Sequence, residues 1–163
     1  MDAYKTIISK RDTRQFSDKP IFDESLRRIL QAGRMAGSAK NLQPCRFVVV
    51  RSVEQKEALS KCGQFAQHMP NAQVVIAVVI PSDGRDFDAG RAAQNMMLAA
   101  WAEGIASCPV TLHDADCARQ VLGLPDGYRV AIALLFAYPP PTGIETLRAP
   151  RLPIEELMHE EKW

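Results

Sequence analysis

Three cations fall within one short stretch, Lys10-Arg11-Asp12-Thr13-Arg14. Arg presents a planar fork of N–H donors that matches phosphate oxygens, and Lys adds a point charge, so the stretch could hold a phosphate. The alternative is a solvated cluster that complements the C-terminal dipole of a preceding helix, which is the commoner fate of such charges. A second candidate is the loop Ser38-Ala39-Lys40-Asn41-Leu42-Gln43-Pro44. Its hydroxyl and amide groups can both donate and accept, enough to read the edge of a planar heterocycle, although an ordinary polar loop has the same composition. Arg148 and Arg151 form a late pair of cations with the same ambiguity.

Several other chemistries are excluded by what is missing. No Gly-x-Gly-x-x-Gly follows a strand, so a Rossmann dinucleotide site is not expected. There is no Gly-x-x-x-x-Gly-Lys-Ser/Thr loop, no Gly-x-Ser-x-Gly elbow and no His-Glu-x-x-His. Cys45, Cys62, Cys108 and Cys117 form no Cys-x-x-Cys pair, and His68, His113 and His159 are far apart in sequence. That spacing is poor for zinc or an iron–sulfur cluster. Cys45 and Cys108 each neighbour a proline and a predicted strand, and read as small buried hydrophobes.

The 163 residues suit one domain spanning 1–163, and 47% hydrophobic residues can build a real core. A net charge of +1 with no basic run argues against a nucleic-acid partner. Met1 to Arg14 lacks the apolar core of a secretory signal. A cytoplasmic protein with free thiols is therefore expected.

The elements that must position these residues are legible from pattern. A helix is expected from Asp2 to about Lys10, with Tyr4, Ile7 and Ile8 on one face. A second opens at Asp23, with Leu26, Ile29, Leu30 and Gly33 at helical spacing. Phe47–Val50, Val74–Ile80, Cys108–Leu112 and Arg129–Tyr138 read as strands, the second unbroken enough to be covered on both faces. Ser52-x-x-Gln55 has the form of a capping box opening a helix to about Lys61. Asp114 caps a helix that ends at Gly123, and Asp126-Gly127 is a turn. The longest helix runs from Asp88, as its cap, to Gly104. Between Arg91 and Glu103 only Gln94 and Asn95 are polar, so burial on most sides is expected, part of it under a second copy of the chain. The span is too short for a bilayer. The tail carries Leu147, Leu152, Leu157 and Trp163 with no evident core partner, and a short helix near Ile154–Met158.

In order along the chain, these pieces resemble the nitroreductase-like family of FMN-dependent oxidoreductases. The resemblance rests on Lys10-Arg11-Asp12-Thr13-Arg14-Gln15-Phe16, on Ser38 to Pro44 before a Val-rich strand, and on Asp88 with Ala92-Ala93-Gln94-Asn95-Met96-Met97-Leu98-Ala99-Ala100. Leu122-Gly123-Leu124-Pro125 and Arg151-Leu152-Pro153-Ile154-Glu155-Glu156-Leu157 with Trp163 complete it. Each piece is weak alone; their order is specific. The resemblance implies an α+β fold, a mixed sheet flanked by helices, in an intertwined homodimer with FMN at the interface. It implies that Lys10, Arg11, Asp12 and Arg14 contact FMN, the cations at its phosphate and pyrimidine edge and Asp12 at a ribityl hydroxyl or a cation. Arg151 would add a phosphate contact, and Ser38, Asn41 and Gln43 would reach FMN from the second subunit. Backbone N–H groups near Thr111 and Leu112 would face N5 and O4. No catalytic side chain is implied. The activity implied is ping-pong hydride transfer from NAD(P)H through FMN to a small conjugated acceptor such as a nitroaromatic or quinone.

Four features depart from that pattern. Asp12 stands where many members have Ser, Cys45 where Trp is frequent, and Ala39 where a second Ser is frequent. The chain is also short, the missing length falling between Ile80 and Asp88, which implies a more open flavin face. Asp12 and the short lid leave room for a flavin-binding or flavin-consuming protein without NAD(P)H turnover.

Overall fold

A computed structural model describes residues 2–144 and 151–163. Leu147 and Arg148 lie outside the described residues. The centre of the sheet is β2, Val74–Pro81, whose residues Val74 to Ile80 are all buried. Such a run of β-branched side chains suits a pleated strand, and only a sheet covered on both faces can accept it. The other strands are β1 (Arg46–Val50), β3 (Ala106–Val110) and β4 (Tyr128–Ala137), in the spatial order β1-β2-β4-β3.

All these pairings are antiparallel, with Val48 opposite Ala77, Ile76 opposite Leu134 and Cys108 opposite Leu135. The expected mixed character is limited to one parallel bridge, Asp12 to Ser107, on the outer edge of β3. Between β2 and β4 the register slips, Val78 facing Ile132 and Val79 facing Val130, which leaves Ala131 as a bulge.

Helices lie on both faces: α1 (Ala3–Ser9), α2 (Asp23–Arg34), α3 (Val53–Ser60), α4 (Asp86–Ala102), α5 (Ala115–Leu122) and a short α6 (Ile154–Leu157). One core joins Val74, Ile76, Val78, Ile80, Leu134 and Phe136 to Ile29 of α2 and Met96 of α4. The opposite core joins Val75, Ala133 and Leu135 to Leu59 of α3 and Ala118 of α5. Alternation along β2 and β4 thus divides the apolar side chains between two layers.

Gly33 allows α2 to approach α4. A Cβ there would fall 2.8 Å from Met96 Cγ and 3.0 Å from Phe47 Cζ. Gly33→Ala is expected to lower stability by about 1–3 kcal/mol through overpacking, read as a lower urea midpoint at unchanged slope; an unchanged midpoint would show that Met96 simply moves aside.

Several ends differ from expectation. Asp88 is not the cap of α4. The helix starts one turn earlier with Arg85 in the cap position, and Asp88 is a buried residue of its first turn. The reason is tertiary: Asp86 accepts a 2.8 Å bond from Arg129 on β4, which holds the earlier turn in place. Nor is α4 buried on most sides within one chain. Ala89, Ala92, Ala93, Met96, Met97 and Ala100 are covered, whereas Phe87, Gly90, Arg91, Gln94 and Asn95 are exposed. By contrast α2 opens at Asp23 as expected, with Phe22 in the cap position and no side chain capping it. The Asp2 side chain caps nothing, but its carbonyl accepts from both Thr6 N–H and Thr6 Oγ1. Tyr4, Ile7 and Ile8 face outward, and Thr6 is the buried residue of α1.

The Ser52 box is half formed. Ser52 Oγ accepts from Gln55 N–H, while the Gln55 side chain reaches across to the Val121 carbonyl instead. Asp114 does cap α5, accepting from Cys117 N–H at 2.9 Å, and Gly123 ends it in the left-handed region at φ +61.

The free-thiol expectation fails for two of the four cysteines. Cys62 and Cys117 form a disulfide, their Cα atoms 5.5 Å apart, which chain spacing could not reveal because 55 residues separate them. Cys108 is buried as expected; Cys45 is only partly so. No helix among the described residues is long and apolar enough to cross a membrane.

Candidate functional site

The segment Lys10–Arg14 is laid against the outer edge of β3. Thr13 N–H donates to the Ser107 carbonyl at 3.2 Å, beside the Asp12–Ser107 bridge. Its entry is fixed from α4, where Trp101 Nε1–H donates to Ser9 Oγ at 2.9 Å and Lys10 Nζ lies 3.7 Å from Met97 Sδ.

The three cations are not equivalent in this setting. Arg11 turns back and donates to the carbonyls of Ile8 and Lys10 at 2.9 and 2.8 Å, closing the last turn of α1. For this side chain the helix-end role is realised. Lys10 pairs with the Asp12 carboxylate, its own side chain nearly buried and that of Asp12 about half exposed. Burial pushes the Lys10 ammonium down to about 8, with the Cys108 thiol nearby acting in the opposite sense. Arg14 is exposed and lies beside the Cys108 thiol. Burial raises the Cys108 pKa, and the Arg14 guanidinium works against that rise.

Two buried polar atoms among the described residues have no hydrogen-bond partner, Ser107 Oγ and His68 Nε2. Both belong to this region. Ser107 is the residue paired with Asp12, and His68 is close enough to Arg14 for the guanidinium, after burial, to lower its pKa. An orphaned polar group of this kind costs on the order of 1–3 kcal/mol. Sequence reading missed both residues, because no local pattern marks a serine inside an apolar strand or a histidine in a turn as part of one cluster.

Thr111 and Leu112 follow β3 directly, Thr111 exposed and Leu112 partly buried against the second core. Both therefore lie at the end of the same strand that carries Ser107 and Cys108. Ser38, Asn41 and Gln43 belong to a different place. Ser38 Oγ accepts from Gln43 N–H at 2.9 Å, and Ser38 and Gln43 line a cavity of about 170 Å³ with Cys45, Asp88 and Ala92. Among the described residues no hydrogen bond or ion pair joins this loop to Lys10–Arg14. Lys40, Asn41 and Gln43 all have positive φ, between 49 and 55. Non-glycine residues seldom adopt that region, and three so close together concentrate strain of the sort found at binding sites. Arg151 is exposed, and no ion pair to it occurs among the described residues. A wide groove of about 1340 Å³, bordered by Arg27, Leu30, Arg34, Phe47 and Ala99, contains none of the candidate residues.

Residues 7–64 and 63–138 match the sequence profile of the Nitroreductase family. This chain belongs to that family. A relative from Archaeoglobus fulgidus, provisionally named NADH dehydrogenase/NAD(P)H nitroreductase, is 33% identical over 149 residues, covering 85% of this chain and 86% of its own. The NADH dehydrogenase of Thermus thermophilus is 27% identical, covering 92% and 93%. Among solved structures, the NADPH:FMN oxidoreductase of Vibrio harveyi, complexed with NAD+, superimposes with a TM-score of 0.87 at 25% identity over 99% of this chain and 77% of its own. A provisionally named nitroreductase of Desulfovibrio desulfuricans in complex with FMN gives 0.83 at 27% identity, over 100% and 98%. The nitroreductase fold, helices packed on an antiparallel sheet of four strands, is therefore that of this chain.

Proposed function

We propose that this nitroreductase-family chain, one domain over 1–163, is an FMN-dependent oxidoreductase that takes hydride from NAD(P)H and passes it to a small conjugated acceptor such as a nitroaromatic or quinone. The observation that carries the reading is the placing of two cations at one strand edge: Lys10–Arg14 is laid along β3 by the Asp12–Ser107 bridge, with Lys10 and Arg14 both near the Cys108 thiol and Arg14 near His68. Two cations at one edge, one of them exposed and without a carboxylate partner among the described residues, suit a ligand that carries a phosphate. The relatives from Vibrio harveyi and Desulfovibrio desulfuricans name FMN as such a ligand.

FMN, when bound, supplies two-electron chemistry that side chains lack. The chain holds and orients it. Lys10 and Arg14 provide fixed positive charge, Arg151 adds a phosphate contact, and backbone N–H groups of Thr111 and Leu112 face the ring. Arg14 near the pyrimidine edge stabilises negative charge that develops there, an effect strengthened where water is excluded. Arg11 acts by fixing the turn, and Asp12 by holding Lys10.

Ser38, Asn41 and Gln43 reach the cofactor from a second copy in a homodimer. Their separation from Lys10–Arg14 within one chain supports this, as do the outward Tyr4, Ile7, Ile8, Leu157 and Trp163. The exposed face of α4 and the groove beside it would be covered in the same assembly. A cytoplasmic setting accords with these partners. The Lys10–Asp12 pair favours one second reading, a flavin-binding or flavin-consuming protein without NAD(P)H turnover, since the pair partly neutralises the charge available to phosphate.

The deciding experiment is a visible spectrum of the purified protein, identification of any heat-released chromophore, and steady-state oxidation of NADH and NADPH with a quinone or nitroaromatic. Released FMN with turnover is the expected result. FMN without turnover would leave the second reading, and a protein that stays colourless with added FMN would remove both.

Two further outcomes follow from Lys10. With a free-protein pKa of about 8 the lysine is protonated at pH 7 and mostly neutral at pH 9. Phosphate binds the protonated form, so FMN affinity should fall by about tenfold between those values, one decade per pH unit above the pKa. Lys10→Arg, charged throughout, should flatten that profile; a wild-type profile already flat would remove Lys10 from the phosphate site. Asp12→Ser frees the ammonium and should tighten FMN by about two- to fivefold, the scale of a partly exposed ion pair. Weaker binding in a folded Asp12→Ser protein would instead mean that the carboxylate itself holds the ligand.

A further inference from the structure

The disulfide between Cys62 and Cys117 joins two segments that border the candidate site. Cys62 follows α3 and opens the turn that leads to His68; Cys117 lies in the first turn of α5, just past Thr111 and Leu112. The same two segments meet through other contacts. Asp114 N–H donates to the Cys62 carbonyl at 2.9 Å, and Gln64 N–H donates to His113 Nδ1 at 3.2 Å. The rings of Phe65 and His113 pack edge to face with centroids 6.0 Å apart. Gly63 is pressed so closely that an added Cβ would stand 2.9 Å from the Thr111 carbonyl. Leu59 and Ala66 pack with Val110 and Ala118 beneath this seam, and the disulfide adds a covalent tie across it. Cys62 is buried, whereas Cys117 is partly exposed and so is the more accessible of the two.

We propose that Cys62–Cys117 is a redox-modification site, opened by a dithiol reductant, whose disulfide clamps the Thr111–Asp114 connection and whose reduction loosens the cofactor. The cofactor half of this rests on the FMN reading above. A thiolate of the reductant attacks Cys117 Sγ, the Cys62 sulfur leaves as a thiolate and takes a proton, and a mixed disulfide forms. The second thiol of the reductant attacks its own sulfur in that bond, and Cys117 leaves and is protonated. Two electrons and two protons have then passed to the pair, and the reductant is left as a disulfide. In a reducing compartment such a bond opens and closes with the thiol pool instead of serving as a permanent brace.

The test uses the full chain, air-equilibrated or treated with dithiothreitol, with cysteines counted by alkylation under denaturing conditions. Two alkylated residues, Cys45 and Cys108, are expected before reduction and four after. FMN titration followed by fluorescence should give a dissociation constant about five- to tenfold higher for the reduced protein, the range of a moderate coupling between two sites. Amide exchange over 111–114 should speed up in parallel. The Cys62→Ser/Cys117→Ser double variant should resemble the reduced protein and ignore dithiothreitol. Four reactive cysteines in the air-equilibrated protein would overturn the proposal, as would exchange at 111–114 that is the same in both states. Unchanged FMN affinity with faster exchange would overturn the cofactor coupling while leaving the FMN reading intact. If FMN binds neither form, the cofactor reading falls, and exchange alone decides whether the clamp stands.

Discussion

Replacing Arg14 by alanine is expected to weaken FMN binding by about 10- to 100-fold, the range for losing charged hydrogen bonds worth about 1.5–3 kcal/mol. Arg14 is singled out because the other two cations of its cluster are already engaged, Arg11 with helix carbonyls and Lys10 with Asp12. Its guanidinium lies by the Cys108 thiol and near His68, whose Nε2 has no hydrogen-bond partner. It is also exposed, so its loss should leave the fold intact, and the urea midpoint of Arg14→Ala should match wild type. Arg11→Ala makes the informative contrast. It removes contacts to the end of α1 and should cost stability of about 1 kcal/mol or less, with a smaller change in FMN affinity. Titration of the apoprotein with FMN measures both. An Arg14→Ala protein that purifies fully yellow with unaltered affinity would move the phosphate site away from this strand edge.

Phe136→Ala should lower stability by about 3–5 kcal/mol, the cost of emptying a large, fully enclosed ring site. Phe136 is wholly buried in the core between the sheet, α2 and α4. It stands opposite Val74 on β2 and opposite Ser107 on β3. The cavity would therefore open directly behind the residue that pairs with Asp12, so FMN affinity should fall as well as stability. Urea unfolding reads the first effect and FMN titration of the folded fraction the second. A loss below about 1 kcal/mol would mean that the core collapses into the space, against the close packing of interiors. Phe65→Ala, exposed at 63%, is the control and should change stability by about 0.5 kcal/mol or less.

Much of the architecture was legible in the chain because local physics decides it. The apolar run Val74–Ile80 could only be a doubly covered strand, and it is. Asp114 and Gly123 bracket α5 because a cap acceptor and a left-handed glycine act within a few residues. The ordered motifs also placed the chain in its family, to which it belongs. What local physics could not decide were relations between distant residues. Asp88 has the chemistry of a cap, yet the bond from Arg129 to Asp86 moved the start of α4 by a turn. Lys10, Arg11 and Arg14 read as one cluster, yet α1, Asp12 and Cys108 gave each a different partner. The Cys62–Cys117 link, the antiparallel order of the sheet and the approach of His68 to Arg14 arise only when segments far apart in sequence are packed together. Spacing along the chain determines which face a side chain occupies; which other face it meets is set by the sheet order, a property of the whole fold.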